Sequence, residues 1–163
     1  MQRTLVRTVG ALALALCAAC PAGAAQRSML GSFRFDHPDF VHALPQARHG
    51  LVLQVSSADA LTWNIALNNA RNVQQAFGPG SVRVVVVAFG PGLRMLLKDS
   101  PVAAQIQAED SAGIEFDACH KTMEAMAHKL GHMPELLPQA VVVPAGLVRI
   151  MQLEKAGFAY AKP

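Results

Sequence analysis

Only one of the three cysteines in this 163-residue chain, Cys119, stands among residues that could set a thiol to work. His120 and Lys121 follow it, and Asp117 lies two positions before it. A thiol attacks as its anion, and an ordinary cysteine with a pKa of about 8.5 is mostly neutral near pH 7. The open N–H groups and dipole of a helix N-terminus favour that anion, and so do adjacent basic groups. Asp117 works against it. The pattern suits thiol exchange, with Cys119 as the reacting group and His120 assisting its ionisation. Free cysteine is also among the most buried residue types, so on position alone a small apolar filler competes evenly with a working thiol.

Other candidates carry less. The turn Gly90-Pro91-Gly92 could cradle an anion on its N–H groups, as glycine-rich loops between strand and helix do. It matches neither the Walker pattern nor the dinucleotide fingerprint, and a tight turn explains it more simply. Ser57 sits in the loop Ser56-Ser57-Ala58-Asp59, and Asn64 begins a stripe continued by Asn68 and Asn72. That stripe is either a solvent face or a subunit contact. Gly90, Gly92, Ser57 and Asn64 are therefore the candidate ligand-binding residues. His128 and His132 have metal-compatible spacing without a third ligand, and a solvated helix end accounts for them. Neither a metal nor an organic cofactor is expected.

These residues need elements to hold them. Leu51 to Val55 is a short apolar run between Gly50 and Ser56, as a buried strand requires. Asp59 can cap a helix whose stripe runs Trp63, Ala66, Ala70, Val73 and Phe77, ended by Gly78-Pro79-Gly80. Val82 to Phe89 is β-branched and almost continuously apolar, the signature of a strand covered on both faces. A helical segment with Leu93, Leu96 and Leu97 on one side follows the Gly90 turn, and Pro101 restarts it with Val102 and Ile106 inward. Ile114, Phe116 and Ala118 alternate with Glu115 and Asp117, which predicts a third strand with one wetter face. Met123, Met126, Ala127 and Leu130 mark a helix closed by Gly131, and Val141 to Val143 a fourth strand. The last helix spans roughly 147–156, and Phe158 to Tyr160 a short final strand. Residues 25–48 are loop-like, with a short edge strand over Ser32 to Phe35.

Strands alternating with helices across short loops predict βαβ units in a mainly parallel sheet of four to six strands, an α/β/α sandwich of three layers. In such sheets, sites gather where the carboxyl ends of strands enter the loops. Three of these loops carry Ser57, Gly90 with Gly92, and Cys119 with His120.

The first two dozen residues do not belong to that domain. Arg3 and Arg7 precede an apolar stretch, Gly10 to Ala19, which at about ten residues is too short to span a bilayer. Pro21 breaks it and Ala22-Gly23-Ala24 supplies the small-x-small pattern of a signal-peptidase site, with cleavage after Ala24 or Ala25. Neither Cys17 nor Cys20 follows a Leu-small-small triplet, so lipidation of Cys20 is the lesser alternative. The organisation expected is a signal peptide over 1–24, an N-terminal extension over 25–48 and one α/β domain over 49–163, located in the periplasm without stable membrane insertion. Removing residues 1–24 leaves 12 cations against 11 acids, so the net charge of +3 is partly the leader's. Lys and Arg form no clustered run, which disfavours nucleic-acid binding. It also leaves Cys119 without a resolving thiol in its own chain.

Four stretches carry a family resemblance: Trp63 to Asn72 (WNIALNNARN), Val84 to Gly92 (VVVVAFGPG), Phe116 to Met123 (FDACHKTM) and Val141 to Ile150 (VVVPAGLVRI). In order and spacing the chain from about Gly50 to Pro163 resembles the DsrE/DsrF-like family of sulfur-relay proteins, which includes the YchN-like α/β fold. The resemblance implies a three-layer subunit assembling into homotrimers or hexamers. It also implies that a cysteine in the corresponding loop accepts sulfur as a persulfide and exchanges it with a donor or acceptor protein. Cys119 is the residue here that could fill that role. The expected function is exported sulfur handling on a single cysteine. The alternative, from another class, is a non-catalytic homo-oligomeric module that binds a small ligand and whose cysteine is structural. The leader is directly testable: protein recovered from the exporting host should show an intact mass short of the first 24 or 25 residues, and a full-length mass or a lipid adduct on Cys20 would refute the assignment.

Overall fold

Apolar runs bounded by turn residues become parallel strands, and the amphipathic stretches between them cross back over the sheet as helices. The computed structural model describes residues 25–163; the leader expected over 1–24, with Cys17 and Cys20, lies outside them. Six strands form one sheet: β1 Arg27–Ser28, β2 His49–Val55, β3 Val82–Ala88, β4 Glu115–Cys119, β5 Ala140–Val143 and β6 Ala159–Ala161. Their order is β1-β5-β4-β3-β2-β6 and every pairing is parallel. The helices are α1 Ala60–Phe77, α2 Ala103–Ser111, α3 His120–Leu130 and α4 Gly146–Lys155, with a tighter 3-10 segment over Gly90–Leu96. This is the expected three-layer α/β/α sandwich.

The two sheet faces follow from strand alternation. On one, Leu53, Val55, Val84, Val86, Phe116, Ala118 and Val142 pack against Trp63, Ala66, Leu67 and Ala70 of α1, Ile106 of α2 and Met123 of α3. On the other, Val52, Val85 and Val87 meet Ile150 and Leu153 of α4, with Phe40, Phe89 and Phe158 alongside. Each fully buried aliphatic side chain is worth about 1.5–3 kcal/mol relative to exposure, so the valine-rich centre of β3 anchors both layers.

Local chemistry sets the boundaries. Asp59 caps α1, its carboxylate accepting from the N–H groups of Leu61 and Thr62 at 3.2 Å each, and these hold it below the usual carboxylate range, Leu61 foremost. Trp63 is pinned by its indole N–H, which donates to the Ser57 carbonyl at 2.7 Å. Phe77 departs from the expected stripe: it is half exposed, its ring 4.7 Å from that of His49.

Two expectations need correction. The edge strand is not Ser32 to Phe35. Arg27–Ser28 pairs with Val141 and Val142 of β5 instead, and Arg34 makes only an isolated bridge to His37. Nor has β4 a wetter face. Glu115 and Asp117 are buried as completely as Phe116, because the extension and α4 close over them and a buried arginine meets their charge.

Gly92 shows how closely the layers approach. A Cβ there would lie 2.2 Å from the Val55 carbonyl oxygen, a backbone atom that cannot swing aside. Gly92→Ala should therefore lower stability by about 1–3 kcal/mol through forced backbone displacement. Gly31→Ala, with nothing within 4 Å of the new methyl, should leave the denaturant midpoint unchanged.

Candidate functional site

The carboxyl edge of the sheet brings the loops after β2, β3 and β4 into one row. Cys119 is the last residue of β4 and caps α3 with extended backbone, as its sequence context predicts. Its thiol is free and 5% exposed in the isolated subunit. No side chain of its own occupies the N-terminal amides of α3, so the helix start faces the sulfur's surroundings with unsatisfied donors. His120 lies beside it in sequence, but its Nδ1 stands 3.6 Å from Glu124 Oε1. Lys121 Nζ donates to Glu124 Oε2 at 2.8 Å. One acid therefore draws both basic neighbours along the helix.

The remaining candidates flank this point. Gly90 has a positive φ of 53° and donates its N–H to Thr122 Oγ1 at 2.9 Å, which ties the β3 loop to the first turn of α3. Gly92 donates to the Phe89 carbonyl at 3.1 Å. Both amides are thus engaged within the chain, leaving side chains rather than these N–H groups to meet a ligand. Ser57 Oγ accepts from the Asp59 N–H at 3.1 Å, shaping the entry to α1. Asn64 is exposed and donates back to the Ala60 carbonyl at 2.9 Å. The structure places Gly90 beside the Cys119 helix, while Ser57 and Asn64 belong to the α1 end of the row.

The densest chemistry lies further back along β4, on the face that Cys119 shares and that α4 covers. Arg149 of α4 is wholly buried. Its Nε donates to Asp117 Oδ2 and its Nη2 to Glu115 Oε1, both at 2.8 Å. Nη1 donates to Gln152 Oε1 at 2.6 Å, and Nη2 also reaches the Asp39 carbonyl at 2.9 Å. Glu115 Oε2 accepts from the Val41 N–H at 2.8 Å. Two buried carboxylates therefore share one guanidinium, and Asp117 Oδ1 has no hydrogen-bond partner among the described residues. Burial first, then the charge of Asp117, pushes Glu115 up to about 8, against the pull of Arg149. Burial raises Asp117 as well, with Arg149 opposing. The pair holds a proton at neutral pH, and a proton on Glu115 provides a donor for Asp117. Arg83, its guanidinium 4.0 Å from the Phe40 ring centroid, completes the charged surroundings; burial lowers its pKa.

Sequence reasoning missed this cluster. The acids at alternate positions of β4 looked like solvent-facing residues. The one available signal was Arg149 with Gln152, polar residues sharing the inward stripe of Ile150 and Leu153.

Neither a family model nor a curated protein matches the chain. Among solved structures it is similar to MTH1491, a protein of unknown function from Methanobacterium thermoautotrophicum, at 28% identity and a TM-score of 0.64. The likeness covers 71% of this chain and 99% of that one, so the whole of MTH1491 corresponds to part of this chain. Among the described residues no group of three or more His, Cys, Asp or Glu is placed to hold a metal ion, and no helix is long and apolar enough to cross a membrane.

The proton on the carboxylate pair gives stability a pH dependence of definite sign. Glu115 titrates at about 8 in the folded state, against 4.5 ordinarily. Between those values the folded state binds the extra proton, so its contribution is complete below the ordinary pKa and is lost as pH rises through the folded one. The melting temperature should fall by a few degrees as pH rises from about 5.5 to about 8.5, and Glu115→Gln should flatten that slope. An unchanged slope in the variant would show that the proton is not held there.

Proposed function

We propose that this protein handles sulfur through a persulfide on Cys119. The observation that carries the reading is the placement of a free thiol at the junction of β4 and α3, at the carboxyl edge of a parallel sheet and the start of a helix. The family resemblance of Phe116 to Met123 and of the other three stretches supports it. The step is an exchange in which the Cys119 thiolate attacks the outer sulfur of a donor persulfide. A new S–S bond forms on Cys119, the donor's S–S bond breaks, and its electron pair leaves on the donor thiolate. The proton given up by Cys119 is balanced by protonation of that leaving group. No net oxidation occurs, and no metal or organic cofactor enters. With no resolving thiol in residues 25–163, the persulfide would persist until an acceptor protein removes it. His120 would assist ionisation once it turns from Glu124. We place this activity in the periplasm, on the leader read from the sequence, and in a homotrimer or hexamer.

A second reading rests on the near-complete burial of Cys119. There the protein is a non-catalytic homo-oligomeric binding module and the thiol is a packing residue.

Incubation with a low-molecular-weight persulfide should add the mass of one sulfur atom at Cys119. Cys119→Ser should abolish the adduct with little change in the melting temperature, and His120→Ala should slow loading without abolishing it. No adduct on the wild type, together with a loss of about 1–3 kcal/mol in Cys119→Ser, would identify a packing residue and favour the second reading.

A further inference from the structure

A groove runs between the 3-10 segment and α3, on the far side of the Gly90–Thr122 hydrogen bond. Pro91, Arg94, Ala125, Met126, Lys129 and Leu130 line it, enclosing about 380 Å³. Past Arg94, Met126 and Leu130 it opens into a wider hollow of about 600 Å³ rimmed by Lys98, His132 and Glu135. The floor is apolar. Met126 packs on the main core, while Leu130 stands about half exposed at the end of the helix.

The rim of the narrow part is cationic and lacks counter-charge. Arg94 and Lys129 are exposed and neither makes an ion pair or a side-chain hydrogen bond among the described residues. The neighbouring lysines differ. Lys98 donates to Glu135 at 2.6 Å and Lys121 to Glu124 at 2.8 Å. Two free cations over an apolar floor, with no acid in the lining of the narrow part and with Asp99 and Glu135 only in the hollow beyond, complement an anion that carries an apolar body. Inorganic anions would gain nothing from Met126 and Leu130, and neutral apolar molecules nothing from Arg94 and Lys129. The enclosed volume falls in the usual range for small-molecule sites, about 300–1,000 Å³.

We propose that this groove binds a small amphiphilic anion, an organic carboxylate or sulfonate whose head lies between Arg94 and Lys129 and whose tail covers Met126 and Leu130. The site is separate from the persulfide reading of Cys119 and stands without it. Because the Gly90 amide is already donated to Thr122, recognition of the head falls to the two side chains.

Octanesulfonate, below its micellar concentration, is the probe. Titration of the purified protein by calorimetry, with amide shifts followed by NMR, should give saturable binding that moves Gly90, Ala125, Met126 and Leu130. The double variant Arg94→Glu with Lys129→Glu should weaken binding by about tenfold or more. Both positions are exposed, and an unchanged melting curve would establish that the variant remains folded. Leu130→Gln should weaken binding by loss of the tail contact while keeping the rim charges. Sulfate alone and octyltrimethylammonium should bind far more weakly. No saturable binding, equal binding of the cationic amphiphile, equal binding of sulfate, or an unaffected double variant would each overturn the proposal. Tighter binding of a short acidic peptide than of octanesulfonate would also overturn it and reassign the groove to a protein partner.

Discussion

The guanidinium of Arg149 is the point at which three separate parts of the chain become one structure. It belongs to α4, it neutralises charge on β4, and it bonds the Asp39 carbonyl of the extension. Gln152, held against Arg149, donates in turn to the Arg34 carbonyl at 2.6 Å. Taking such ions out of water costs several kcal/mol each, and attraction in the interior repays this only when nearly every polar atom finds a partner. Here all three guanidinium nitrogens are engaged. The residual imbalance, two carboxyls against one cation, is met by retaining a proton. A well-packed apolar triad of similar size could be equally stable. It would lack the directional bonds that fix the extension's backbone onto the sheet.

That arrangement bears on the thiol. Glu115, Asp117 and Cys119 point to the same face of β4, so the sulfur lies at the end of a row that begins with two acids. One retained proton keeps the row less negative than its composition suggests. The other influence on the sulfur is the start of α3, which the Gly90–Thr122 bond holds against the loop after β3. Gly146 performs a related service nearby, since a Cβ there would press within 3.1 Å of the Phe89 ring. The loops around the thiol's strand end are thus held by close contacts of Gly90 and Gly146 with side chains, while its two basic neighbours turn toward Glu124.

How far all this could be read from the sequence depends on whether periodicity or partnership decides. Continuous apolar runs identify β2, β3 and β5, because a strand covered on both faces needs apolar side chains on each unless a buried partner meets its polar ones, as Arg149 does on β4. Cys119 was placed correctly at a strand end, since a turn into an amphipathic helix is a local signal. Long-range pairing was not legible. Arg27–Ser28 is too short and polar to look like a strand, and it becomes one only because β5 presents an open edge. Glu115 and Asp117 alternate as exposed acids do, and only a partner more than thirty positions away makes them core residues. Gly90 and Gly92 stand out by type as turn glycines, but their amides' partners, Thr122 and Phe89, depend on how the loops stack.

The extension's attachment has a kinetic consequence. Strand β1 can pair only after β5 has joined the sheet, and the Asp39 and Arg34 carbonyls find donors only after α4 has docked. Residues near the start of the domain therefore wait for residues more than a hundred positions later, the kind of long-range closure that slows folding. Until then β5 has a bare edge and the carboxyls of β4 lie open to water. The extension precedes the domain in the chain, yet its contacts with β5 and α4 can close only once those later elements are in place.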